Sequence, residues 1–258
     1  MMADLEAALR ARVEGGGKVF VPYVTGGLEG VDADLLRAIA KTGADAIEVG
    51  IPFSDPVMDG GVIQEASARS LGSGTRPGDV LATIAEAAVD APVCVMTYLN
   101  PVMAHGIETF LREAAQAGVA GLIVPDLPVD EADEFRSACM GAGIAPVFLA
   151  APGTATDRIR RIAEASRGFV YCVATYGVTG ERDRLEGTAR EVVESLRPLT
   201  DRPLVVGVGI GSPEQAAEAC TFADGVVVGS ALVRPLVEGA RDEALALATE
   251  FRDAIRAR

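Results

Sequence analysis

The chain reads as an α/β protein, a single (β/α)8 TIM barrel with an extra N-terminal helix, and three observations predict it. Eight short apolar runs recur between residues 18 and 231. Stretches with helical spacing separate them, and several of these end at Gly just before the next run. The length, 258 residues, suits one barrel domain spanning 1–258.

The N-terminal "MMADLEAALRARVEGGG" is charged and helical in pattern, unlike a signal peptide, so residues 1–14 form the extra helix and cap the bottom of the barrel. The runs follow in order: "KVFVPYV" (18–24), "AIEVGI" (46–51), "VCVMTYL" (93–99), "GLIVPDL" (121–127), "PVFLAA" (146–151), "FVYCVA" (169–174), "LVVGVGI" (204–210) and "GVVVGSA" (225–231). They show little polar alternation, as expected of parallel strands covered on both faces. Helical stretches include "ADLLRAIAKTG" (33–43), "IETFLREAAQAG" (107–118), "VDEADEFRSACMGAG" (129–143) and "SPEQAAEACTFA" (212–223). Gly43, Gly118 and Gly143 match left-handed helix C-caps. "TGADAIEVG" is echoed by "AGVAGLIVP" and "AGIAPVFLA", a weak repeat of helix end plus strand. A doubly wound open sheet is the alternative, but no GxGxxG follows an early strand.

Composition narrows the function. Acidic residues exceed basic ones, 37 to 23, for a net charge of −14. That argues against a nucleic-acid surface and against anionic membranes. It leaves room for an anionic substrate held by backbone donors. No run approaches the length of a membrane span. The four cysteines form no CxxC pair and read as buried free thiols, so a reduced cytoplasm is the expected compartment.

In this fold the active site lies at the C-terminal ends of the strands. Glu48 falls within the second strand and Asp59 in the loop after it, so both can face the same mouth. Tyr98 closes the third strand, Asp126 ends the fourth, and Tyr171 lies inside the sixth. "GVTG" (177–180), "GVGIG" (207–211) and "VGS" (228–230) follow the last three strands, and a helix opens at Ser230. Glycines there let backbone N–H groups approach a phosphate.

Missing residues narrow the reaction. His105 is the only histidine, and Lys18 and Lys41 are the only lysines, neither at a strand's C-terminal end. No metal site, Schiff-base lysine or Ser–His pair is expected; carboxylates and tyrosines remain for proton transfer. Asp55 can simply order its loop, Asp126 has a structural or interface reading, and Tyr171 can be ordinary core. Glu48 resists such a reading, because a buried unpaired carboxylate costs several kcal/mol or takes up a proton. Arg69 is a candidate partner for it.

"IEVGIPFSDPVMDG", "GIAPVFLAAP", "GFVYCVATYGVTG", "GVGIGSPEQAAEA" and "ADGVVVGSALV" together closely resemble the tryptophan synthase α subunit family, from about residue 19 to 237. The resemblance implies cleavage of indole-3-glycerol phosphate to indole and glyceraldehyde 3-phosphate, a retro-aldol reaction with no cofactor of its own. Glu48 and Asp59 match the family's catalytic carboxylates, and Tyr171 a tyrosine beside the glutamate. The indole pocket maps onto Tyr23, Met96, Tyr98, Ile123, Leu149 and Val208. Phosphate would be held by Gly180, Gly209, Gly229 and Ser230, mostly through backbone N–H groups. The loop carrying Thr179 resembles the family's mobile lid. The implied partner is a pyridoxal-phosphate β subunit in an α2β2 heterotetramer.

Departures from the family pattern concern loops. The family usually has Gly-Asp-Pro after the first strand, where this chain reads "TGGLEG"; after Asp59 a Gly-Pro-Thr is common, where this chain reads Gly60, Gly61, Val62. Losing proline frees backbone torsions, so the loop presenting Asp59 is expected to be looser or reshaped. Val208 replaces a frequent Phe, and the lid reads "GERDRLEG", unusually charged. Three readings follow: an α subunit needing its β partner, a stand-alone lyase releasing free indole, or a non-catalytic partner of a β subunit. Retention of Glu48 and Asp59 argues against the last.

Overall fold

Each apolar run becomes part of one parallel sheet. The computed structural model describes residues 4–174, 182–207 and 209–256, with backbone alone for 182–186. Its strands are β1 (Val19–Thr25), β2 (Ile47–Gly50), β3 (Val93–Met96), β4 (Val119–Ile123), β5 (Ala145–Val147), β6 (Leu149–Ala150), β7 (Val170–Val173), β8 (Leu204–Gly207) and β9 (Gly225–Val228). Their spatial order is β5-β4-β3-β2-β1-β9-β8-β7-β6, with parallel neighbours throughout.

The two ends of that order are the halves of a single expected strand. It breaks at Phe148, whose N–H donates to the Ser166 hydroxyl (3.3 Å) instead of to a neighbouring strand. One half pairs with β4 and the other with β7, so the break closes the barrel.

Helices form where the sequence pattern and end signals coincide. Gly43, Gly118 and Gly143 take positive φ values of 91°, 88° and 75°, which an L side chain adopts only with strain. The helix Leu5–Glu14 starts at Asp4, whose carboxylate accepts the Ala7 N–H (3.1 Å). Leu5 and Leu9 are buried. A Cβ placed on Gly121 or Gly168 would lie 2.7 or 2.5 Å from Leu5 Cδ2, so Leu5 sits against the starts of both β4 and β7.

Several boundaries differ from expectation. β3 ends at Met96, so Tyr98 lies beyond it, as the residue before the helix Leu99–His105. β4 runs Val119–Ile123, which leaves Asp126 in the following turn instead of on the strand. There its carboxylate accepts the Leu99 N–H (2.9 Å), the structural role open to a loop Asp. The stretch 129–143 is a 3-10 turn, Val129–Glu131, and a separate helix, Asp133–Gly141, because Ala132 leaves helical geometry at φ −99°, ψ 0°. Two helices, Gly61–Gly72 and Pro77–Ala87, fill the connection from β2 to β3. All four cysteines are free and buried. Among the described residues no helix is long and apolar enough to cross a membrane.

Candidate active site

Strand register gathers the site. Partners in a parallel sheet share a face, and Tyr23 stands opposite Glu48, which stands opposite Cys94. One step on, Gly50, Met96 and Ile123 are in line, and across the barrel Leu149 is paired with Tyr171. This face points inward. A Cβ on Gly50 would collide with the Tyr23 hydroxyl, and one on Gly207 with that of Tyr171. These two glycines make room for two buried tyrosines.

Glu48 is 1% exposed, and neither carboxylate oxygen has a hydrogen-bond partner among the described residues. Arg69 does not serve it; its guanidinium pairs with Glu65 (2.6 Å) and donates to the Val237 carbonyl (2.6 Å). The helix Gly61–Gly72 turns Arg69 to the surface. Burial without compensation, with the Asp59 charge nearby, pushes the Glu48 carboxyl up to about 8.

Asp59 reaches the same space from outside the sheet. The turn Pro56–Asp59 closes through the Asp59 N–H to the Pro56 carbonyl (3.0 Å), and the helix Gly61–Gly72 begins at once. Burial pushes Asp59 up to about 7, opposed by a hydrogen bond from Tyr98. The Tyr98 hydroxyl also accepts the Met58 N–H (3.0 Å), so it holds the turn by backbone and by carboxylate. Phe53 stacks on the Tyr98 ring at 5.1 Å. The sequence reading placed Tyr98 in a pocket but missed this latch, which joins residues 40 positions apart.

The phenols are in their neutral form. Burial raises the hydroxyls of Tyr23 and Tyr171, and the nearby carboxylates raise them further. Met96 and Leu149 are half-buried, and Ile123 is fully buried.

Gly229 and Ser230 open the helix Ser230–Val237 with no side-chain cap. A Cβ on Gly229 would lie 3.5 Å from Ile63 and 3.7 Å from Tyr23, so this helix start lies beside Tyr23 and the helix that follows Asp59. Gly209 has φ +95° and is exposed. Thr179, Gly180 and Val208 lie outside the described residues.

The two departing loops differ in how they are held. The Gly26–Gly27 turn is pinned, with the Ser70 hydroxyl on the Gly26 carbonyl (2.7 Å) and the Thr75 hydroxyl on the Gly27 carbonyl (3.4 Å). Gly60 and Gly61, in contrast, have no steric need to be glycine. Gly60 sits at φ −73°, and a Cβ on Gly61 would meet nothing within 4 Å.

A parallel barrel whose mouth holds two protonatable, mutually repelling carboxylates belongs to the acid–base enzymes that act on small molecules. The family model described as tryptophan synthase alpha chain matches residues 9–255. The tryptophan synthase alpha chain of Gloeobacter violaceus is 44% identical over 97% of this chain and 91% of its own length. That of Methanosarcina mazei is 45% identical over 90% and 84%. A solved Mycobacterium tuberculosis tryptophan synthase chain superposes with a TM-score of 0.90 at 37% identity, covering 99% of both chains. The chain belongs to the tryptophan synthase alpha chain family, and carbon–carbon lyase activity in tryptophan biosynthesis follows from that membership.

Proposed function

We propose that Glu48 and Asp59 are the two proton handlers with which this chain cleaves indole-3-glycerol phosphate to indole and glyceraldehyde 3-phosphate. The observation that carries the assignment is the Glu48 carboxyl, buried without a partner and raised to about 8. At neutral pH it is mostly protonated, while Asp59, raised to about 7, is the carboxylate that ionises first. Glu48 donates its proton to indole C3, and positive charge develops on the ring nitrogen. Ionised Asp59 accepts the indole N–H and stabilises that charge. The Glu48 carboxylate then takes the proton of the glycerol hydroxyl next to the ring. The C–C bond breaks, its electron pair restores the indole ring, and the aldehyde forms. Glu48 ends the cycle protonated.

Tyr23, Met96, Tyr98, Ile123, Leu149 and Tyr171 line the space for the indole, with Val208 and the lid residue Thr179 completing it. Gly209, Gly229 and Ser230, joined by Gly180, hold the phosphate by backbone N–H groups, helped by the dipole of the helix Ser230–Val237.

The chain carries no cofactor of its own in this reading, and pyridoxal phosphate belongs to a β-subunit partner in an α2β2 assembly. In support, Val57 (78% exposed), Met58 and Met103 present apolar side chains around the mouth, where water alone would not favour them. The cytoplasm, where four free thiols stay reduced, is the compartment that fits. The test is conversion of indole-3-glycerol phosphate by wild type and by Glu48→Gln. Turnover by the variant at the wild-type rate would sink the assignment. Adding a β subunit separates a partner-dependent enzyme, whose rate rises, from a stand-alone one.

A further inference from the structure

The loop after β1 departs from the family pattern, and in the structure it forms a joint between the two carboxylate-bearing elements. The Gly26 N–H donates to the Gly50 carbonyl (2.8 Å), at the end of the strand that holds Glu48. The Gly26 carbonyl accepts the Ser70 hydroxyl (2.7 Å), from the helix that follows Asp59. A single residue therefore bonds β2 on one side and the Asp59 helix on the other.

The joint is tightly fitted. A Cβ on Gly26 would come 2.6 Å from Val80, and one on Gly27, where φ is +74°, would run into Thr75 and Ser70. Ser70 is 1% exposed. At the opposite end of the helix Gly61–Gly72, Gly60 provides no side-chain cap; the ties there are the Tyr98 hydroxyl on Met58 and Asp59 and the exposed Gln64 amide on the Asp59 carbonyl (2.8 Å), and neither reaches β2. Arg69 also holds the far end, but to the Val237 carbonyl and not to β2. A helix transmits displacement along its axis, here over about 14 Å from Ser70 to Gly61.

We propose that Ser70 is a positioning residue for the lyase reaction, fixing through Gly26 the spacing between Asp59 and Glu48. The proposal rests on the roles assigned to those two carboxylates. Replacing Ser70 by Ala leaves the Gly26 carbonyl unpaired and frees the helix to shift against β2. Small displacements of reacting groups have large kinetic effects.

Three variants test it on the full chain: Ser70→Ala, the near-isosteric Ser70→Cys with its weaker donor, and Ser73→Ala as control. Ser73 bonds the Ser70 carbonyl (2.8 Å) at the same helix end and bonds neither Gly26 nor β2. Ser70→Ala is expected to lower kcat about tenfold with KM within about twofold. It also displaces the pH–rate profile, because the mutual repulsion of Glu48 and Asp59 depends on their spacing. Ser70→Cys falls between it and wild type, whereas Ser73→Ala lowers Tm and leaves kcat and profile unchanged. Wild-type kcat and profile in Ser70→Ala overturn the proposal whatever happens to Tm; where that variant does not fold, the same result in Ser70→Cys does so. An inactive wild type would instead refute the function proposed above, so the two failures are distinct.

Discussion

Asp45 stands just before one short strand and Glu48 within it, and the fold treats them oppositely. Asp45, just before β2, accepts the Phe20 N–H (2.9 Å) and both Arg252 Nη atoms (2.9 and 3.3 Å), with Arg12 Nε 3.5 Å away. Glu48, inside β2, has no hydrogen-bond partner among the described residues. The same contrast runs around the barrel. At the bottom, Glu6 serves Gly168 and Arg202, and Asp224 serves Leu204 and Arg197. At the strand starts these three carboxylates are all paired. At the strand ends Glu48 is left open for a ligand to complete, at a cost in stability.

Four outcomes would break or sharpen this contrast. The largest is at Glu48. Glu48→Gln should lower turnover by about a thousandfold. It should also stabilise the protein, because a carboxyl raised from 4.5 to about 8 on folding disfavours the folded state as it ionises. The variant's advantage in Tm should therefore be small near pH 4.5, grow as pH rises, and level off above pH 8, reaching about 10 °C. An advantage that is constant with pH would mean the carboxyl is not buried as described.

Asp45→Asn should do the reverse. Arg252 is 2% exposed and would lose its charge partner, which costs about 3 kcal/mol in chemical denaturation. The folded fraction should turn over at the wild-type kcat. A fall in kcat matching that of Glu48→Gln would erase the division between the two barrel ends.

The pH profile comes next. With Asp59 ionised and Glu48 protonated in the active form, kcat/KM of the wild type should rise through about 7 and fall above about 8. Tyr98→Phe removes the hydrogen bond that lowers Asp59, so the rising limb should move to higher pH and kcat should drop about tenfold. An unmoved rising limb would dissociate Tyr98 from Asp59.

The smallest effect is at Gly61, the first residue of its helix, where Pro fits. Gly60 before it sits at ψ 162°, as a residue preceding Pro prefers. Gly61→Pro should add about 0.5 kcal/mol of stability by restricting the unfolded chain. Destabilisation would show that the Gly60–Gly61 backbone is more constrained than its open surroundings suggest.

The candidate site was only partly visible in the sequence. Glu48 was conspicuous because a carboxylate inside a doubly covered strand violates the surrounding pattern. Asp59 was placed at the mouth by its position after that strand, and its assignment came from the family motif around it. The Tyr98 latch and the Ser70–Gly26 joint were not legible. They connect residues 40 and 44 positions apart through hydrogen bonds whose existence depends on loop geometry to within a few tenths of an ångström. The ties on "TGGLEG" were hidden for the same reason: losing Pro removes a local constraint, and Ser70 and Thr75 supply a distant one.

Local chemistry thus determined the strand rhythm, the glycine helix ends and the strand position of Glu48, since side-chain period, backbone strain and burial cost act within a few residues. Tertiary structure decided which polar groups found partners. Strand register and helix docking, which no local window contains, paired Asp45, bound Arg69 elsewhere, and left Glu48 without a hydrogen-bond partner among the described residues.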